Sequence, residues 1–172
     1  SWMSQATVST LPIFKSHYSL GRSILTLDAE QENAAESDSA PLIAKEAGLE
    51  SICLIDDSIS GFIEGYKTCK KIEIGYNFGL RLTFVENLEV KDDDSLFNES
   101  KYVIMALNTE GYNSLYKIYS VAAKDGFYYQ PRMDFKTLKT FWNENLSLVV
   151  PFYDSFIHKN KMSYSKCPNS FE

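Results

Sequence analysis

Short apolar runs alternate along this chain with segments whose apolar positions recur three and four residues apart, a pattern that predicts strands and helices taken in turn. Leu11 to Phe14 reads as a short strand, whereas Ser19 to Leu27 mixes polar and apolar residues without a period. Asp28 to Ser39 is acidic and rich in small residues, and is expected to be an exposed loop or a frayed helix. Ser39 to Gly48 predicts a short helix, with Ser39 as its cap, Pro41 in the first turn and Gly48 as its stop. The continuous apolar run Ser51 to Ile55 then has the character of a parallel strand covered on both faces.

From Gly61 to Lys71, Phe62, Ile63, Tyr66 and Cys69 fall at helical spacing, and Lys70 and Lys71 suit the negative end of the helix dipole. Ile72 to Phe84 reads as one or two strands around Gly75 and Gly79. Val90 to Ser100, with Asp92, Asp93 and Asp94, is expected to be a solvent-exposed loop, and Tyr102 to Leu107 a buried strand. Asn108 opens a helix whose apolar positions Tyr112, Leu115, Tyr116, Ile118, Tyr119 and Ala122 recur until Gly126. A further helix, Phe135 to Asn143, is capped by Asp134, and Leu146 to Pro151 is the last strand. Strand and helix alternate throughout, which predicts an α/β fold with a mostly parallel sheet or barrel.

The 172 residues, 44% hydrophobic and 14% aromatic, suffice for one compact domain with a sizeable core. Seventeen basic residues against 23 acidic ones give a net charge of −6, which argues against attraction to phosphates over the whole surface but leaves room for a local basic patch. No apolar run approaches the roughly 20 residues that span a bilayer, and no basic and apolar leader opens the chain. A cytoplasmic protein with no membrane contact is expected. Cys53, Cys69 and Cys167 are odd in number and widely spaced, which fits reduced thiols. Residues 1–10 read as an extension or cloning scar, 11–157 as the domain with acidic loops near 28–39 and 90–100, and 158–172 as a polar tail or the start of a further segment.

Three segments carry a resemblance: Gly61-Phe-Ile-Glu-Gly-Tyr-Lys-Thr-Cys-Lys-Lys71, Asn108-Thr-Glu-Gly-Tyr-Asn-Ser-Leu115 and Gly126-Phe-Tyr-Tyr-Gln-Pro-Arg-Met-Asp-Phe135. Their order and spacing, from about Leu11 to Tyr153, are similar to the PHP (polymerase and histidinol phosphatase) domain of bacterial-type DNA polymerase III alpha subunits. The last segment, with the motif residues Tyr128, Tyr129, Pro131, Arg132 and Asp134, is the most specific. The resemblance implies a distorted βα barrel of PHP type, of seven strands in the family, of which this chain covers only part. A longer parent chain would be a DNA-directed DNA polymerase acting in replication. The implied partners are a polymerase core, in the same or a separate chain, and a proofreading exonuclease, with DNA contact weak. The setting that the resemblance implies is a bacterial cell or a phage-infected host.

Intact members of that family build a metal cluster from histidines and carboxylates, and this chain has only His17 and His158. The opening His-x-His of the family corresponds to Ile13 and Lys15, and the Asp that follows it falls near Arg22. The Thr-Asp-His segment becomes Ile55-Asp56-Asp57, the Glu of Gly-x-Glu becomes Arg81, and the next histidine falls at Lys101. A later Cys or His position lies around Phe152 and Tyr153. Lysine and arginine offer a metal no lone pair while charged. No bound metal or other cofactor and no catalytic residue are therefore expected at these vestigial positions, and Asp57 is expected to join the introduced cations in an ion-pair network.

Each signal also has a plainer account. His17 and His158 read as surface or hydrogen-bonded histidines, Asp56 and Asp57 as caps or lysine partners, and Lys70-Lys71 as a solvated helix end. Tyr128, Tyr129 and Arg132 could stack on bases, although aromatics beside Pro131 more often fix a loop against the core. The favoured function is a non-catalytic structural and interaction domain of a replicative polymerase. The alternatives are a metal-dependent phosphoesterase or 3′ to 5′ exonuclease, and a nucleic-acid or phosphate-binding module built on Lys15, Arg22, Arg81 and Lys101.

Overall fold

The computed structural model describes residues 10–18, 25–29 and 38–150. Arg22, Phe152, Tyr153, His158 and Cys167, and most of the acidic stretch 28–39, lie outside them. The fold is mixed α/β, and the chain divides into two compact units, 1–78 and 79–172.

In the first unit, β1 (Thr10–Phe14) pairs in parallel with β4 (Ser51–Asp56), with Ile13 opposite Leu54. Ile13, Ile52 and Leu54 are buried, whereas Cys53 and Ile55 are only half-buried, so β4 alternates instead of being enclosed on both faces. Two short strands, β2 (Leu25–Thr26) and β3 (Asp38–Ser39), pair in parallel at either end of the acidic stretch. Helix α1 (Ala40–Glu46) starts after Ser39, with Pro41 in its first turn and Gly48 following at φ 76°. Ser39 occupies the cap position without capping: its hydroxyl is buried and unbonded.

Helix α2 (Ser60–Ile72) buries Gly61, Gly65, Thr68 and Cys69. Of the apolar residues at helical spacing, Cys69 is buried, whereas Ile63 and Tyr66 are 49% and 46% exposed. The small residues let the helix backbone approach its neighbours closely, which turns the larger side chains outward. Glu73, at φ 60°, ends the helix. Strand β5 (Gly75–Phe84) is a single strand, and the boundary between the units falls within it.

In the second unit, β5 neighbours β6 (Ser100–Ala106) and pairs in parallel, at Thr83 and Phe84, with the two-residue β7 (Arg132–Met133). β6 pairs antiparallel with β8 (Leu146–Val149), so the mostly parallel expectation fails at this strand. The segment expected to be a plain loop holds the short helix α3 (Asp93–Phe97), because the Asp92 carboxylate accepts the Ser95 N–H at 2.9 Å and starts a turn. Helix α4 (Thr109–Lys124) buries Gly111, Leu115, Ile118 and Ala122, with Asn108 accepting from the Gly111 N–H. Tyr116 is 59% exposed and lies off that face. Helix α5 (Phe135–Phe141) stops short of Asn143, and Asp134 caps it as expected. Phe84, Tyr102 and Phe135 meet in this core with ring centroids 4.8 to 5.2 Å apart.

Candidate functional site

The first-unit positions that the resemblance aligns with the family's metal site come together where β1 and β4 end. Ile13 is 3% exposed inside the sheet. Lys15 begins a single 3-10 turn, Lys15–His17, and its Nζ sits 4.9 Å from the Tyr18 ring centroid, in cation–π range. His17 is exposed, accepts the Phe14 N–H at 3.3 Å through Nδ1 and packs edge-on against the Phe14 ring. Asp56, the last residue of β4, is 1% exposed. Its Oδ1 accepts the Ser58 N–H at 3.3 Å and its Oδ2 the Gly61 N–H at 3.1 Å, so the carboxylate closes the turn that leads into α2. Asp57 is exposed. A Cβ at Gly61 would lie 2.5 Å from Asp56 Oδ2 and 2.7 Å from the Tyr18 hydroxyl, so only glycine fits between these two groups.

Tyr18 is 4% exposed, and its hydroxyl completes no hydrogen bond. Burial raises its pKa, and the Asp56 carboxylate and then the charge of Asp57 add to the effect. The sign follows directly. An unfolded tyrosine ionises near pH 10, whereas the folded one holds its proton to higher pH. The stability it contributes is therefore complete below about pH 10 and is lost as pH rises through the folded value. Tyr18→Phe is expected to change stability by less than about 1 kcal/mol at pH 8, since no hydrogen bond is broken, and to flatten the decline above pH 10. Urea unfolding of both proteins at pH 8 and pH 11 checks this, and an unchanged alkaline decline would count against it.

Arg81, on β5, and Lys101, on β6, belong to the second unit and are half-buried. There the family motif is a clamp. Arg132 is fully buried, and its guanidinium donates from Nε to the Gly126 carbonyl at 2.8 Å, from Nη2 to the Leu88 and Val90 carbonyls at 3.3 Å, and from Nη1 to Ser95 Oγ at 3.4 Å. The Tyr128 ring covers it at 5.3 Å. Burial lowers its pKa, with Glu99 the largest opposing charge. Asp134 accepts the Leu88 N–H at 2.9 Å and the Thr137 N–H at 2.7 Å. Arg132 thus faces inward and does not present its charge to nucleic-acid bases. Pro131 is half-buried, while Tyr129 stands 75% exposed at φ 63°.

Beside the clamp opens a groove of about 720 Å³, whose lining includes Glu86, Glu89, Asp92, Asp94, Asp134 and Lys136. The sequence shows these acids but gives no sign that they converge. Cys69 is buried and its thiol is pushed up to about 12, and burial raises Cys53 as well, so neither is a ready nucleophile. Among the described residues, no group of three or more His, Cys, Asp or Glu could hold a metal ion. No helix among them is long and apolar enough to cross a membrane.

The strands and helices define an α/β domain, with a buried carboxylate, a tyrosine and a lysine gathered at the ends of two parallel strands. The chain belongs to the PHP domain family, whose model matches residues 15–162. It is 34% identical over 94 residues to the DNA polymerase III subunit alpha of Borreliella burgdorferi, a match covering 53% of this chain and 8% of that protein. The Helicobacter pylori subunit is 34% identical over 100 residues (55% and 8%), and that of Aquifex aeolicus 24% identical over 143 (76% and 12%). The chain therefore spans about a tenth of the length of these relatives. A solved structure from Bifidobacterium adolescentis, of a proposed metal-dependent phosphoesterase, aligns with 66% of this chain and 34% of that one, at 12% identity and a TM-score of 0.33, too distant to bear on function.

Proposed function

We propose that this domain is a non-catalytic structural and interaction module of a replicative DNA polymerase III alpha-type subunit. The observation that carries this reading is the use to which the cluster at the ends of β1 and β4 is put. Asp56, the carboxylate kept from the family's motif, is buried and bonded to two backbone N–H groups. Ile13 belongs to the sheet core, and Lys15 sets an ammonium beside Tyr18 where the family's second histidine would stand. A multi-metal site needs several lone-pair donors converging on one point, and these residues do not fit one. The partners proposed on this reading are the polymerase core and a proofreading exonuclease.

Elemental analysis of the purified protein, paired with a phosphodiester hydrolysis assay in added Mn, tests the proposal. Neither stoichiometric metal nor hydrolysis is expected. Stoichiometric Zn or Mn together with hydrolysis that a chelator abolishes would overturn it in favour of a metal-dependent phosphoesterase or exonuclease.

A further inference from the structure

The outward turn of the large side chains on α2 builds a surface that the cluster at Asp56 does not use. Phe62, Tyr66 and Lys70 follow one another at four-residue spacing and so share one face of the helix. The Phe62 and Tyr66 rings lie 14° from parallel with centroids 5.9 Å apart. Tyr76, near the start of β5, meets both, at 5.6 Å and 6.4 Å. Two constraints hold Tyr76 in place. Its hydroxyl donates to the Phe62 carbonyl at 3.0 Å, and its ring occupies the space left by Gly65, where a Cβ would come within 2.8 Å of it. Phe62 packs edge-on against the buried Phe78 at 5.4 Å, which roots the group in the core.

Tyr66 is the wet end of this ladder, at 46% exposed. Lys70 Nζ lies 5.9 Å from its centroid, and Lys67 and Lys71 are exposed on the same helix. Helix α2 carries three lysines against one glutamate, Glu64, within a chain of net charge −6, so the sign of the charge is locally reversed. Ordered aromatic planes with a cationic rim can stack unpaired bases and neutralise the phosphates between them. We propose that Tyr66, backed by Phe62 and Tyr76 and flanked by Lys67 and Lys70, is a docking surface for single-stranded nucleic acid. A duplex, whose bases are already stacked on one another, does not satisfy the ladder.

The test is fluorescence anisotropy of labelled oligothymidylate with the full chain, measured over a series of KCl concentrations. Tyr66→Ala is expected to weaken binding about tenfold without altering the salt slope, while Tyr66→Phe retains affinity. Lys70→Gln is expected to lower the slope of log affinity against log salt by about 0.7. Far-UV circular dichroism confirms that these exposed substitutions leave the fold intact. Absence of saturable binding at low salt, or affinity indifferent to Tyr66→Ala, overturns the proposal, the second result pointing to an acidic protein face as the occupant. The outcome is independent of whether the Asp56 cluster holds metal.

Discussion

Replacing Arg132 with alanine is expected to cost about 4 kcal/mol of unfolding free energy, seen as a lower urea midpoint at unchanged slope. The variant strips the Gly126, Leu88 and Val90 carbonyls of one shared donor group, the first two of them in buried bonds. A buried acceptor left alone loses its hydration without compensation, which is why several such losses outweigh the modest net worth of any single bond. Arg132→Lys is expected to recover only a small part of the loss. An ammonium cannot reproduce the planar fork that reaches carbonyls on both sides of the site. A midpoint within experimental error of the parent for Arg132→Ala would remove the clamp from the account of the second unit.

Asp134→Ala follows, at about 3 kcal/mol by the same measurement. One carboxylate caps α5 through the Thr137 N–H and also holds the Leu88 N–H, so its loss frays a helix and orphans a buried donor together. Arg132 and Asp134 grip Leu88 by its carbonyl and its N–H respectively, so the two substitutions share a consequence. The double variant is expected to fall short of the sum of the single losses. Strict additivity would mean that the two residues secure separate structures.

The sequence made much of the fold legible, because many of its determinants are local. Asn108 and Asp134 each cap the helix that follows, and a cap is a relation between residues three apart. Which face of α2 is buried is not local in this way. Periodicity locates apolar residues, but Gly61 and Gly65 bury themselves because Asp56, Tyr18 and Tyr76 crowd against the backbone, a fact of tertiary structure. The antiparallel course of β8 depends on its pairing with β6, about 40 residues earlier in sequence, which no local pattern records. At the candidate site, the resemblance pointed to Ile13, Lys15 and Asp56 but could not say that the aspartate would spend its oxygens on Ser58 and Gly61. Nor could the motif around Arg132 disclose whether its charge faced a ligand or three carbonyls.

The Arg132 bonds also order events in time. Apart from the one to Gly126, they join residues 37 to 44 positions apart, reaching back from Arg132 to Ser95, Val90 and Leu88. Segment 88–95 is synthesised before the side chain that secures it. Until then its carbonyls remain with water, and the loop-closure entropy has yet to be met. The bonds that tie segment 88–95 to the clamp therefore form only after the downstream motif has been made, and each closes a loop of 37 to 44 residues.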